Sequence, residues 1–172
     1  DDDGISVFSV AANGLMINVD NATDVGLREL NGVAALTTAV VGNKTFLFAA
    51  GQIDDGVSVF EIAADGTLTD IDFIQDSDNA AFNLDGVNSL TTAKIAGTTY
   101  LFAGAGHLGA GVDDGVSVFA VAADGTLINF ANVSDGGARQ LDGTSSLTTA
   151  VVDGDTFLFV SGSDDNGISS FR

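Results

Sequence analysis

A unit of 52 to 59 residues recurs along this chain of 172 residues, and one heptapeptide marks each return. Asp-Asp-Gly-Val-Ser-Val-Phe stands at Asp54 to Phe60 and, unchanged, at Asp113 to Phe119, with variants at Asp2 to Phe8 and Asp165 to Phe171. Gly4 to Gly56 is 52 positions, Gly56 to Gly115 is 59 and Gly115 to Gly167 is 52. The repeats run over residues 1–53, 54–112 and 113–163, with the start of a fourth at 164–172. A period this long belongs to stacked supersecondary units, each of which buries its apolar face only against a neighbour. One array is therefore expected, not separate domains.

Each repeat spells four strands. Val57-Ser58-Val59-Phe60-Glu61-Ile62-Ala63 is β-branched and aromatic, and Ala64-Asp65-Gly66 supplies a turn in which glycine takes positive φ. Thr67 to Ile74 alternates polar with apolar residues, the pattern of a strand with one wet face. Leu84-Asp85-Gly86 then leads into Ser89 to Ile95, and Ala96-Gly97-Thr98 turns the chain into Thr99 to Ala103. The same words return at Leu30-Asn31-Gly32 and Leu141-Asp142-Gly143, and at Phe46-Leu47-Phe48 and Phe157-Leu158-Phe159. Successive side chains of a strand point to opposite faces, so Phe-Leu-Phe demands a sheet covered on both sides. The expected fold is all-β, with repeated four-stranded antiparallel sheets arranged as in a β-propeller and about three blades per chain. An extended stack or a sandwich of the same sheets is the structural alternative.

Tyr100-Leu101-Phe102-Ala103, followed by an Asp/Gly turn, Val116-Ser117-Val118-Phe119 and Ala123-Asp124-Gly125-Thr126-Leu127, resembles the blade of lactonase or YVTN-type β-propellers. The resemblance covers all three repeats and concerns the blade. It implies a strand order in which Leu90 to Ile95 is innermost, Thr99 to Ala103 second, Val116 to Val121 third and Leu127 to Val133 outermost. On that order Ile5 to Val10 and Ile168 to Phe171 claim the same third-strand slot of a closing blade. Three blades also fall below the ~4 to 8 usual for propellers. The chain is thus expected to associate into a larger ring, to belong to a longer array from which it was excised (Arg172 fits a trypsin-like cut), or to form no conventional ring. The start at Asp1-Asp2-Asp3 shows no signal peptide, which fits either processing or an internal piece.

Composition narrows the function. Lys and Arg number 5 against 24 Asp and Glu, a net charge of -19, so phosphate backbones and anionic membranes are repelled and nucleic-acid binding is excluded. No apolar run is long enough to span a bilayer, and no membrane insertion is expected. Cysteine is absent, which removes disulfides and thiol chemistry. An acidic, Gly-rich, Cys-free repeat suits an extracellular or cell-surface location.

In an up-and-down blade, alternate connections share a face. The turns at Asp54-Asp55, Asp113-Asp114 and Asp164-Asp165 are expected on the same side as the loops carrying Asn31, Asp76, Asp78, Asp85, Asp135 and Asp142. Hard cations take 6 to 8 oxygen ligands, so Asp54, Asp55, Asp113, Asp114, Asp164 and Asp165 are candidate calcium ligands. The competing reading is turn chemistry, in which Asp caps its own backbone and Gly supplies positive φ. The chain carries no Asp-x-[Asp/Asn]-x-[Asp/Asn]-Gly loop with a distal Glu. Thr37-Thr38, Thr91-Thr92 and Thr148-Thr149 either line a central channel or pack across strands, the latter being the commoner use. Phe8, Phe60, Phe119 and Phe171 recur in register and are expected in the core. His107, in the insertion Gly104 to Gly111, has no nucleophile or base beside it in sequence and is expected to be an exposed spectator.

Three functions compete. The first is a noncatalytic structural or adhesive repeat that assembles through its blades, with self-association or neighbouring repeats of a longer chain as partners. The second is a calcium-assisted glycan-binding module with repeated shallow sites. The third is a lactonase-type hydrolase, which the resemblance suggests and for which no polar triad is seen to converge.

Overall fold

The computed structural model of the chain describes residues 3–106 and 113–172. His107 lies outside the described residues. Strands β1 (Gly4–Val10) and β2 (Met16–Thr23) form a two-stranded sheet. A first complete blade holds β3 (Val33–Val41), β4 (Lys44–Gly51), β5 (Gly56–Ile62) and β6 (Leu68–Gln75). A second holds β7 (Val87–Ile95), β8 (Thr98–Ala105), β9 (Gly115–Val121) and β10 (Leu127–Ser134). The last sheet has β11 (Thr144–Val152), β12 (Asp155–Gly162) and β13 (Gly167–Phe171). All neighbouring strands are antiparallel, as short hairpin connections require. The fold is all-β and built of propeller-like blades, whose strand order is the one expected from the blade resemblance.

The inner strands β3, β7 and β11 lie beside one another in succession, and the sheets stack face to face. Between the two complete blades, Phe46, Phe48, Val57 and Val59 of the first meet Leu84, Leu90, Leu101 and Phe119 of the second. Phe102 and Val116 then meet Leu141, Leu147, Leu158 and Val160. On the other side Ile5 and Ala22 cover Leu30, Leu47 and Phe60. Each buried Val, Leu, Ile or Phe among them contributes roughly 1.5–3 kcal/mol, so the blade interfaces are the core.

The two third strands do not meet in one slot. β13 pairs with β12, while β1 pairs with β2 in a sheet of its own, and this chain does not close the sheets into a ring. Core membership follows from that layout. Phe60 and Phe119 are buried, whereas Phe8, expected in the core, is 45% exposed because no blade covers its face of β1. Phe171 is half-buried against the last interface.

Outer strands carry a bulge at one recurring position. Phe60 pairs with Asp70 and Val59 with Asp72, which leaves Ile71 extra; Phe8 with Asn18 and Val7 with Asp20 leave Val19, and Phe119 with Asn129 and Val118 with Ala131 leave Phe130. The extra residue turns the side chains on either side of it to opposite faces of the sheet.

Candidate functional site

The repeat signature runs from the loop face that joins the blades into the third strand, and its serine and aspartates take backbone amides as partners. The serine comes first. Ser58 Oγ accepts the Glu29 amide at 2.7 Å, Ser117 Oγ accepts that of Asn83 at 2.8 Å, and Ser169 Oγ accepts that of Gln140 at 2.7 Å. In every case the donor lies just before the Leu of the Leu-x-Gly loop, so a hydroxyl on the third strand pins the loop that feeds the inner strand.

The first aspartate of the signature holds the same loop one step further on. Asp54 Oδ2 accepts the Asn31 amide at 2.8 Å, and Asp165 Oδ2 accepts the Asp142 amide at 3.1 Å. The second aspartate crosses to the next unit. Asp55 Oδ1 accepts the Gly86 amide at 2.8 Å, and Asp114 Oδ1 accepts the Gly143 amide at 2.9 Å. The backbone carbonyls of these residues accept the amides of Asp76 and Asp135 at 2.9 and 2.7 Å. Asp55 takes φ 57°, a left-handed conformation that short polar side chains tolerate. The glycine is required by close approach: a Cβ on Gly56 would stand 2.6 Å from the Ile74 carbonyl oxygen and 2.6 Å from Glu29 Cγ.

Three further carboxylates brace the outer-to-inner loops. Asp24 accepts the Leu30 amide at 3.4 Å, Asp76 that of Leu84 at 3.1 Å and Asp135 that of Leu141 at 3.2 Å. On the opposite face, Asp20 accepts the Leu68 amide at 2.7 Å and Asp72 accepts the Leu127 amide at 2.8 Å, so outer strands are also tied to the following blade.

The expected gathering of carboxylates on one side therefore occurs. Asp54, Asp55, Gln75, Asp76, Ser77 and Asp85 line a cleft of about 240 Å³. Burial raises the pKa of Asp113 to about 6, and the charge of Asp76 together with a hydrogen bond to it adds to the rise, followed by the charges of Asp85 and Asp114. Around the next junction burial and the charges of Asp114, Asp164, Asp165 and Asp135 raise the Asp142 pKa. Asp164 Oδ1 accepts the Ser163 hydroxyl at 3.2 Å. Among the described residues, no three acidic or imidazole side chains are grouped as ligands around a common point.

A second cleft, of about 370 Å³, is lined by Val25, Leu27, Arg28, Ser58 and Asp70 to Phe73. Arg28 makes a two-pronged contact with Asp70, Nε to Oδ1 at 2.8 Å and Nη2 to Oδ2 at 2.9 Å, and donates through Nη1 to the Thr23 carbonyl at 2.9 Å. Its guanidinium lies 5.8 Å from the centre of the Phe60 ring. The hydrogen bonds with Arg28 lower the Asp70 pKa, and the same pair raises that of Arg28. Sequence reading passed over Arg28. The signal was present in its alignment with Arg139, each two positions before the Leu of a Leu-x-Gly loop. Of the threonine pairs, Thr92 donates through Oγ1 to the Thr38 carbonyl at 3.1 Å, a bond between inner strands of adjacent blades.

No protein-family model matches the chain, and no curated protein sequence matches it. Solved structures do share its fold. A functionally unknown protein from Desulfotomaculum acetoxidans aligns over 99% of this chain and 48% of its own, with TM-score 0.64 and 15% identity. A Lactobacillus plantarum protein aligns over 98% and 50%, with TM-score 0.59 and 14% identity. A Bacteroides fragilis protein provisionally named a 6-phosphogluconolactonase aligns over 98% and 60%, with TM-score 0.50 and 16% identity. At these identities the likeness is one of fold. The chain spans about half the length of the first two.

Proposed function

We propose that this chain is a noncatalytic structural or adhesive repeat module of extracellular or cell-surface character, which acts by assembling blades. The observation that carries this reading is the repeated clamp in which Asp55 and Asp114 accept amides of the following blade. The most strongly repeated polar residues are engaged by the chain's own backbone, at equivalent places in successive units. A catalytic site would single out one blade; an assembly device uses every blade alike.

Hydrolysis of 6-phosphogluconolactone and of simple sugar lactones tests the reading, because the Bacteroides fragilis protein with this fold carries a lactonase name. Purified protein is expected to leave the uncatalysed rates unchanged. Turnover that disappears in Arg28→Ala, at the cleft beside Asp70, would overturn it. Since Asp54, Asp55, Asp114 and Asp165 serve backbone amides, the thermal midpoint is expected to be the same in calcium and in chelator.

A further inference from the structure

The chain uses one kind of blade interface twice within itself and leaves both halves of that interface uncovered elsewhere. Leu90 and Leu147 occupy equivalent places on the inner strands β7 and β11 and are 9% and 8% exposed, each covered by the preceding blade. Leu36, at the same place on β3, is 51% exposed, because β1 and β2 cover only the outer half of that blade. The opposite half lies on β12. Phe46 and Phe48 are wholly buried by the next blade, while Phe157 and Phe159, their counterparts in the last sheet, are only partly buried.

We propose that a second copy of this chain covers both faces head to tail, with β11 and β12 of one copy and β1 and β2 of the other forming a single shared blade. Two complete blades from each copy and two shared blades make a ring of six, within the usual range of ~4 to 8. Two lengths of this chain match the length of two solved structures of this fold, of which one copy spans 48% and 50%. Each junction joins two different patches, and the two junctions are related by the half-turn that closes the pair. This assignment of the partner rests on the assembly reading above.

In the shared blade β13 gives way to the partner's β1, since both are third strands. β13 is the weaker occupant. It has five residues, and it places Ser170 where β1, β5 and β9 have Val7, Val59 and Val118. A valine at that site removes apolar surface from water that serine does not.

Sedimentation velocity with light scattering tests the pairing. Wild-type protein at high micromolar concentration is expected at twice the chain mass. Leu36→Asp and Phe159→Asp, checked for native circular dichroism, are each expected to be monomeric, and their equimolar mixture is expected to recover two-chain particles because one junction is intact. Deleting residues 167–172 is expected to tighten the dimer several-fold by removing the competitor of β1. A wild-type monomer, a Leu36→Asp dimer, or a deletion that abolishes pairing would each overturn the proposal. A monomer without lactone turnover would sink the second-copy partner alone, whereas turnover lost in Arg28→Ala would sink the assembly reading itself.

Discussion

The Asp55 carboxylate accepts a hydrogen bond from the Gly86 amide at 2.8 Å and so fastens one blade to the next across 31 positions of sequence. Asp114 repeats the bond on Gly143 across 29. In both residues the main-chain carbonyl holds the outer loop of the residue's own blade while the side chain reaches forward. A single residue type thereby sets the spacing of successive sheets. Asp55→Ala and Asp114→Ala leave a partly buried amide unpaired, at a cost of about 1–3 kcal/mol. Thermal unfolding is expected to report a midpoint lower by roughly 2–12 °C for either variant.

The serine pegs are more deeply placed. Ser58 and Ser117 are essentially fully buried, and the amides they accept have no water to turn to. Ser58→Ala and Ser117→Ala are therefore expected to cost about 1–3 kcal/mol each in urea denaturation, and about the sum together because they brace different loops. Substitution by valine is expected to be no better, since its extra methyl brings no acceptor.

Asp113 gives the junction a pH dependence of definite sign. Its folded pKa, near 6, lies above the ordinary 3.8, so the folded state favours the protonated form. Its contribution to stability is complete below the unfolded value and is lost as pH rises from about 4 through about 6. Asp113→Asn is expected to be more stable than wild type at pH 7 and to lose that advantage near pH 4, as read by melting curves across the range. A constant difference at all pH values would contradict the assignment.

Arg28 and Asp70 act in the opposite sense. Asp70 is held below its ordinary value, so its contribution is present above the unfolded pKa and fades as pH falls through the lower folded value. The Asp70 side chain is 60% exposed, which limits the pair to about 0–1 kcal/mol. Asp70→Asn is expected to cost no more than that at neutral pH and to converge with wild type in strong acid. Arg28→Lys is expected to cost a similar amount, since lysine cannot reproduce the two-pronged contact.

Much of the blade is legible in sequence because its apolar words are local. Val-Ser-Val-Phe, Leu-Thr-Thr-Ala and Phe-Leu-Phe each specify a strand through period and β-branching, and their repetition gives the order. The partners of the polar letters are legible only in part. Asp-Asp-Gly reads as a turn, and Asp55 does adopt a turn conformation, but the amide it accepts belongs to a loop brought near only by stacking of the sheets. Asp70 and Asp72, two apart, read as one face; the bulge at Ile71 sends the first to Arg28 and the second to the next blade's Leu127 amide. Phe8 matches Phe60 in register, yet burial depends on a covering sheet that the repeat pattern alone does not supply.

Amide hydrogen exchange at Gly86 and Gly143 tests the clamp most directly, because each amide reports one carboxylate. In wild-type protein both are expected to exchange slowly. Asp55→Ala is expected to release Gly86 while Gly143 stays protected, and Asp114→Ala to do the reverse. Protection of Gly86 that is unchanged in Asp55→Ala would contradict the carboxylate clamp between blades.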